Sequence, residues 1–225
     1  VPEISNTSIS HVADRSVDTA WISQRGSRPP ALQHLLNTIG NVFLADDVAP
    51  TAKFVAGKVF HNLSRPSGFY RIGGWSLHQS DHLDTALEAA SVVEGPLAAV
   101  VSCLGELHSN LCWYRGETGP YASVNFVQDH AHSLLVGQGG IEERDDIELG
   151  LTVMGPFSRS PDHRRELPVA YLALSRGEVQ VGDNDWASYF PGEIFFADEG
   201  DHVAMRCTRS PLLLLWCQRT QRRQQ

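Results

Sequence analysis

The residues best equipped for chemistry cluster in the second half of the chain. Asp129-His130-Ala131-His132 places two imidazoles two residues apart. On a strand, residues i and i+2 point to one face, so both rings could join Asp129 as an N/O donor set for a divalent metal. The competing reading is a short pattern that arises readily by chance. Asp162-His163-Arg164-Arg165-Glu166 mixes both charge signs. It reads as a solvated loop, or else as a segment that turns Arg165 inward. An inward arginine needs a partner, and a carboxylate held by the guanidinium fork is the obvious one. Tyr171 stands between apolar neighbours, as a core aromatic with a satisfied hydroxyl would. His202 follows a turn at Asp201, where a hydrogen-bonded structural role is the usual one. Cys103, His108 and Cys112 are spaced by five and four on a predicted helix. They do not converge on one face and read as packing and surface.

The whole-chain properties narrow the classes. At 225 residues with 42% hydrophobic content, the chain can bury a sizeable core as one domain, with or without an N-terminal extension. A formal net charge of −8 argues against a nucleic-acid surface. The one basic run, Arg219 to Arg223, reads as a solvated tail. Apolar runs such as Leu212–Trp216 are far too short to span a bilayer, so no membrane partner is expected. No charged-then-apolar leader opens the chain, and Cys103, Cys112, Cys207 and Cys217 form no CxxC pair. Reduced thiols and a cytoplasmic location are the expectation, with a Cys207–Cys217 bridge across two strands left open. Neither a GxGxxG after a strand, a P-loop nor a GxSxG elbow is found. Asp198, Glu199 and Asp201 read as a solvated turn.

Two kinds of element must position these residues. Residues 1–29 read as a polar arm. From Ala31 the apolar spacing turns helical, with Leu32, Leu35, Leu36, Ile39 and Phe43 on one face. Further helices are predicted over Ala52–Leu63, from an N-cap at Asp81 to Ala90, and from Gly95-Pro96 through Leu107. Residues 30–115 thus form a helical region. From 116 to 220 the period shifts to two. The predicted strands are Ala122–Gln128, Ser133–Gly137, Ile147–Met154, Ala170–Leu174, Glu178–Val181, Glu193–Ala197, His202–Arg206 and Leu212–Gln218. Gly- and Asp-rich turns separate them, which indicates a sandwich or barrel. Residues 221–225 form the basic tail.

Read in order, Gly150-Leu-Thr-Val-Met-Gly-Pro156, Ser160-Pro-Asp-His163, Tyr171-Leu-Ala-Leu-Ser175, Trp186, Phe190-Pro-Gly192, Asp201-His-Val-Ala-Met-Arg206 and Pro211 to Trp216 resemble the cupin-type dimethylsulfoniopropionate (DMSP) lyases. Leu135 to Gly139 and the helix before Trp113-Tyr114 extend the likeness. The resemblance implies a mainly β protein: a C-terminal cupin (double-stranded β-helix, jelly-roll) barrel after an α-helical N-terminal region. It implies a divalent metal, zinc, iron or manganese, inside the barrel, and β-elimination of a small carboxylate. In the family that reaction turns DMSP into dimethyl sulfide and acrylate.

Carried onto this chain, the resemblance puts His163 and His202 at metal positions and Tyr171 at the base position. Arg165 stands where a second histidine is expected, Val169 where a glutamate is expected, and Ser160 where a tyrosine is expected. The ligand set is incomplete. Arg165 is then the candidate carboxylate anchor, with Trp186 beside it in the substrate pocket and Glu166 as a substitute ligand. Two functions remain: a carbon–sulfur lyase with Tyr171 as base, or a small-carboxylate-binding cupin that has lost its metal. A homodimer stays open.

Overall fold

A computed structural model of the chain describes residues 22–72, 82–91 and 94–220. Strand β1 (Ile22–Arg25) leads to helices α1 (Pro30–Phe43) and α2 (Pro50–Leu63), then β2 (Phe69–Ile72), α3 (Leu83–Ala90) and α4 (Pro96–Leu107). After β3 (Trp113–Tyr114) comes the short helix α5 (Phe126–Asp129), followed by β4 (His130–Val136), β5 (Ile147–Met154) and β6 (His163–Arg164). The chain continues through β7 (Val169–Ala173), β8 (Gly177–Val181), β9 (Ala187–Tyr189), β10 (Ile194–Ala197), β11 (His202–Arg206) and β12 (Leu212–Arg219).

The helices start where the sequence sets them. Proline occupies the first turn of α1, α2 and α4, where its missing N–H costs no intrahelical bond. The apolar stripe of α1 buries Leu32, Leu35, Leu36, Ile39 and Phe43. The cap expected at Asp81, the arm's first 21 residues and the tail 221–225 lie outside the described residues. Two expectations change. Ile22–Arg25, assigned to the arm, pairs antiparallel with β2. Ala122–Gln128 is not a strand: its apparent alternation is broken by Val124, which faces solvent fully. There Asn125 Nδ2 donates to Asp129 Oδ2 at 2.7 Å, closing the short helix α5 instead.

Two antiparallel sheets carry the second half, in the orders β10-β7-β12-β5-β4-β3 and β6-β11-β8-β9. Together they form a cupin-type barrel preceded by a helical region. Strand alternation gives the larger sheet two different faces. Leu149, Leu151, Val153, Ala170, Leu172, Leu213 and Leu215 pack outward with Leu32, Leu35, Ile39 and Val59 of the helices. Val169, Tyr171, Ala173, Leu212, Leu214 and Trp216 point inward, meeting Val179, Val203 and Met205 of the smaller sheet. Because β12 is covered on both faces, its Leu212–Leu215 run is apolar throughout.

The same alternation decides the thiols. Cys217 belongs to the helix-side core and Cys207 to the barrel-side core, and all four cysteines are free. The bridge left open from the sequence is therefore not formed. Among the described residues no helix is long and apolar enough to cross a membrane.

Candidate functional site

Tyr171 enters the barrel from β7, with its ring stacked on Phe195 at 4.6 Å and 8°. It is 3% exposed, and its hydroxyl has no hydrogen bond among the described residues. Trp216, its cross-strand neighbour on β12, lies over Gly150, where an added Cβ would come within 2.5 Å of the indole. Glycine at 150 is what lets the indole lie flat there. Trp216 Nε1 donates to Thr152 Oγ1 at 3.1 Å, and His132 Nδ1 lies 2.8 Å from the same hydroxyl oxygen.

His163 and Arg165 reach the interior from the segment around β6. His163 is the register partner of Val203, whose side chain is part of the barrel core, so the imidazole faces inward. Burial, followed by the charge of Arg165, pulls its pKa down to about 4, and it is neutral at pH 7. The Arg165 backbone is clasped by the turn before β11. Its N–H donates to Asp201 O at 2.8 Å, and the Gly200 N–H donates to Arg165 O at 2.8 Å. Gly200 adopts φ 92°, a conformation glycine takes without strain.

The guanidinium is half-satisfied. Arg165 Nη2 donates to Gln218 Oε1 at 2.5 Å, and Gln218 Nε2 passes the chain on to Glu148 Oε2 at 2.6 Å. Arg165 Nε is buried with no partner among the described residues. A buried donor left unpaired costs about 1–3 kcal/mol, and more when charged. An anion entering the barrel would offset that cost. Burial pushes the Tyr171 phenol above its ordinary value, and Arg165 partly opposes this. Tyr114 is also raised, by burial and then by Glu148.

The interior thus brings together Tyr171, His163 and Arg165 of the residues singled out in the sequence, and leaves three outside. His202 is exposed and pairs with Arg164, on the face opposite to Val203 and His163. The strand HVAMR puts His202 in phase with outward Arg206, not with inward Val203 and Met205. Trp186 sits on the outer surface, with the Arg206 guanidinium 4.1 Å and that of Arg159 5.4 Å from its ring. Glu166 is exposed, and Val169 at the expected glutamate position is a fully buried barrel-core residue. Ser160 accepts the Met205 N–H at 2.8 Å and is structural.

This donor set does not fit a divalent cation at the family's positions. It offers one inward imidazole, a fixed guanidinium charge beside it and an apolar side chain in place of the carboxylate. Among the described residues no three His, Cys, Asp or Glu side chains converge. The His130/His132 pair does face the interior, opposite Met154 and Thr152 of β5. Both nitrogens of His130 are already engaged. Nδ1 contacts Phe126 O, and Nε2 accepts the Gly116 N–H at 2.7 Å. His130 therefore pins the loop after β3 against the barrel, with Gly116 leaving room for both rings.

Glu148, Gln218, Tyr114, His132 and Thr152 were not singled out as a polar interior. The available signal was the polar residues at every fourth place in an otherwise apolar β5, Glu148 and Thr152, which mark its inward face.

Residues 53–214 match the family model described as dimethylsulfoniopropionate lyase. A crystal structure from work on the DMSP lyases RdDddP and RnDddQII superposes with a TM-score of 0.64 at 17% identity, covering 87% of this chain and 95% of that one. The DMSP lyase DddQ from Ruegeria pomeroyi DSS-3 gives 0.60 at 15% identity, covering 88% and 95%. At such identities the likeness establishes the fold. No curated protein matches the sequence.

Proposed function

The chain belongs to the dimethylsulfoniopropionate lyase family, and from that premise we propose that its barrel performs β-elimination on a small carboxylate anchored by Arg165. One observation carries this reading: a half-buried guanidinium whose buried Nε is unpaired among the described residues and whose Nη2 is held only by a neutral amide. A carboxylate is the anion whose two oxygens match such a fork.

With the carboxylate so held, the adjacent carbon faces the aromatic interior lined by Tyr171, Phe195 and Trp216. Tyr171 Oη, as the phenolate, takes the proton from that carbon. The C–H electron pair forms the new double bond, and the bond from the β-carbon to its leaving group breaks. With a sulfonium leaving group, the departing pair makes a neutral sulfide and the remainder is acrylate. Exclusion of water by the surrounding rings strengthens the ion pair to Arg165.

A second reading, carboxylate binding without turnover, is favoured by the burial that raises the Tyr171 phenol. It keeps the phenolate scarce at neutral pH, and a general base works best with a pKa near the working pH.

Both readings are tested together by titrating the protein with acrylate and by following dimethyl sulfide release from DMSP by gas chromatography. Acrylate binding that survives Arg165→Ala unchanged would remove both. Binding lost in Arg165→Ala, with sulfide released by wild type and not by Tyr171→Phe, supports elimination. Arg165-dependent binding without sulfide supports the binding module.

A further inference from the structure

Outside the strand end that carries Gln218 lies a half-open groove of about 630 Å³, walled by Val55, Lys58, Asn62, Leu167, Pro168 and Arg219. It continues along α2 into a hollow of about 520 Å³ that shares Lys58, Asn62 and Arg219 and adds Lys53, Phe54 and His61. Both concavities therefore surround the same two cations.

Those cations lack acidic partners among the described residues. Asp146, the carboxylate on the groove's rim, is already held by Arg144 through bonds of 2.7 and 2.8 Å. Lys58 instead carries its ammonium 3.8 Å from the ring of Phe54, which is 63% exposed. Among the described residues, Arg219 makes no hydrogen bond or ion pair with its side chain. On a chain of net charge −8, two unpaired cations facing one hollow form a local basin for anions. The apolar part of the groove's lining is formed by Val55, Leu167 and Pro168.

We propose that this groove binds a small amphipathic anion, with its carboxylate or phosphate head between Arg219 and Lys58 and its apolar body against Val55, Leu167 and Pro168. The site is distinct from the barrel interior. Gln218 and Arg219 are consecutive on β12 and point to opposite faces, so the first serves Arg165 and the second serves the groove. The two sites can therefore be separated by mutation.

The test is calorimetric titration of the full chain at low salt with octanoate and, separately, octyl phosphate. At least one probe binds wild type, and the tighter of the two names the head group. Lys58→Gln/Arg219→Gln weakens that binding at least about tenfold, while Arg165→Ala changes it less than about twofold. Both groove residues are exposed, so the double variant retains the wild-type melting temperature, and a melting scan checks this. Failure of both probes to bind, binding indifferent to the double change, or binding lost in Arg165→Ala each overturns the proposal.

Discussion

Arg28 and Arg165 are both drawn into the protein, and their partners differ. Arg28 donates to both oxygens of the fully buried Glu142 at 2.6 and 3.0 Å, to Leu63 O at 2.9 Å and to Gln33 Oε1 at 2.8 Å. Glu142 in turn meets Arg144, which grips Asp146. The network joins the start of α1, the end of α2 and the loop after β4, and it engages all three guanidinium nitrogens of Arg28. Arg165 has one amide partner and an orphaned Nε. The first arginine is bonded at every nitrogen by the fold and serves the fold. The second is held in place yet left short of an anion among the described residues, as the proposed carboxylate anchor requires.

The comparison can be broken most forcefully at Glu142. Glu142→Ala strands Arg28 as a buried cation without its carboxylate, while Arg144 keeps Asp146, and should destabilise the protein by about 3–5 kcal/mol, read as a lowered urea midpoint. A negligible change would mean that the closed network is not the structural one. Tyr171→Phe comes next, on activity and not on stability. If the barrel eliminates, this change should lower turnover by about a hundredfold or more, and the melting temperature should hold, because the hydroxyl has no bond to lose. In wild type the raised phenol predicts a rate that climbs through the alkaline range, since the phenolate fraction grows tenfold per pH unit below the pKa. A plateau at neutral pH would exclude Tyr171 as the base.

Arg165→Ala should cost at least about tenfold in acrylate affinity, the loss expected for a charged hydrogen bond. Its urea midpoint should stay within about 1 kcal/mol of wild type, because no buried charge is stranded and an unpaired donor is removed. A collapse in stability to match that of Glu142→Ala would erase the contrast between the two arginines.

The last effect is confined to acid pH and concerns His163. Its pKa falls from 6.5 to about 4 on folding, so the unfolded chain binds its proton first as the pH drops. Stability contributed by the neutral ring is complete above 6.5 and is lost between there and about 4. His163→Gln should flatten the pH–stability curve in that window, measured as the difference from wild type.

Much of the architecture was legible because period and punctuation agree. Ile147–Met154 and His202–Arg206 fall where alternation sets them, and α4 begins at the Gly95-Pro96 signal. Tyr171 as an inward residue was legible from the same alternation. The outward phase of His202 was legible too, in its step with Arg206, although the resemblance places it at a metal position. Trp186 was not legible: it lies in the irregular stretch before β9, where no period fixes a face, and the arginines beside its ring come from β11 and the segment before β6.

By itself the sequence determined the helical region, the period-two barrel and the departure from the family's ligand pattern at Arg165 and Val169, because these depend on residue type and local spacing. Only the tertiary structure decided which polar groups meet. Glu148 and Gln218 are 70 residues apart, and Arg165 completes their chain through a clasp made by a third segment. Side-chain saturation is a property of such long-range meetings, and it separates the arginine that holds the protein together from the one left able to receive a ligand.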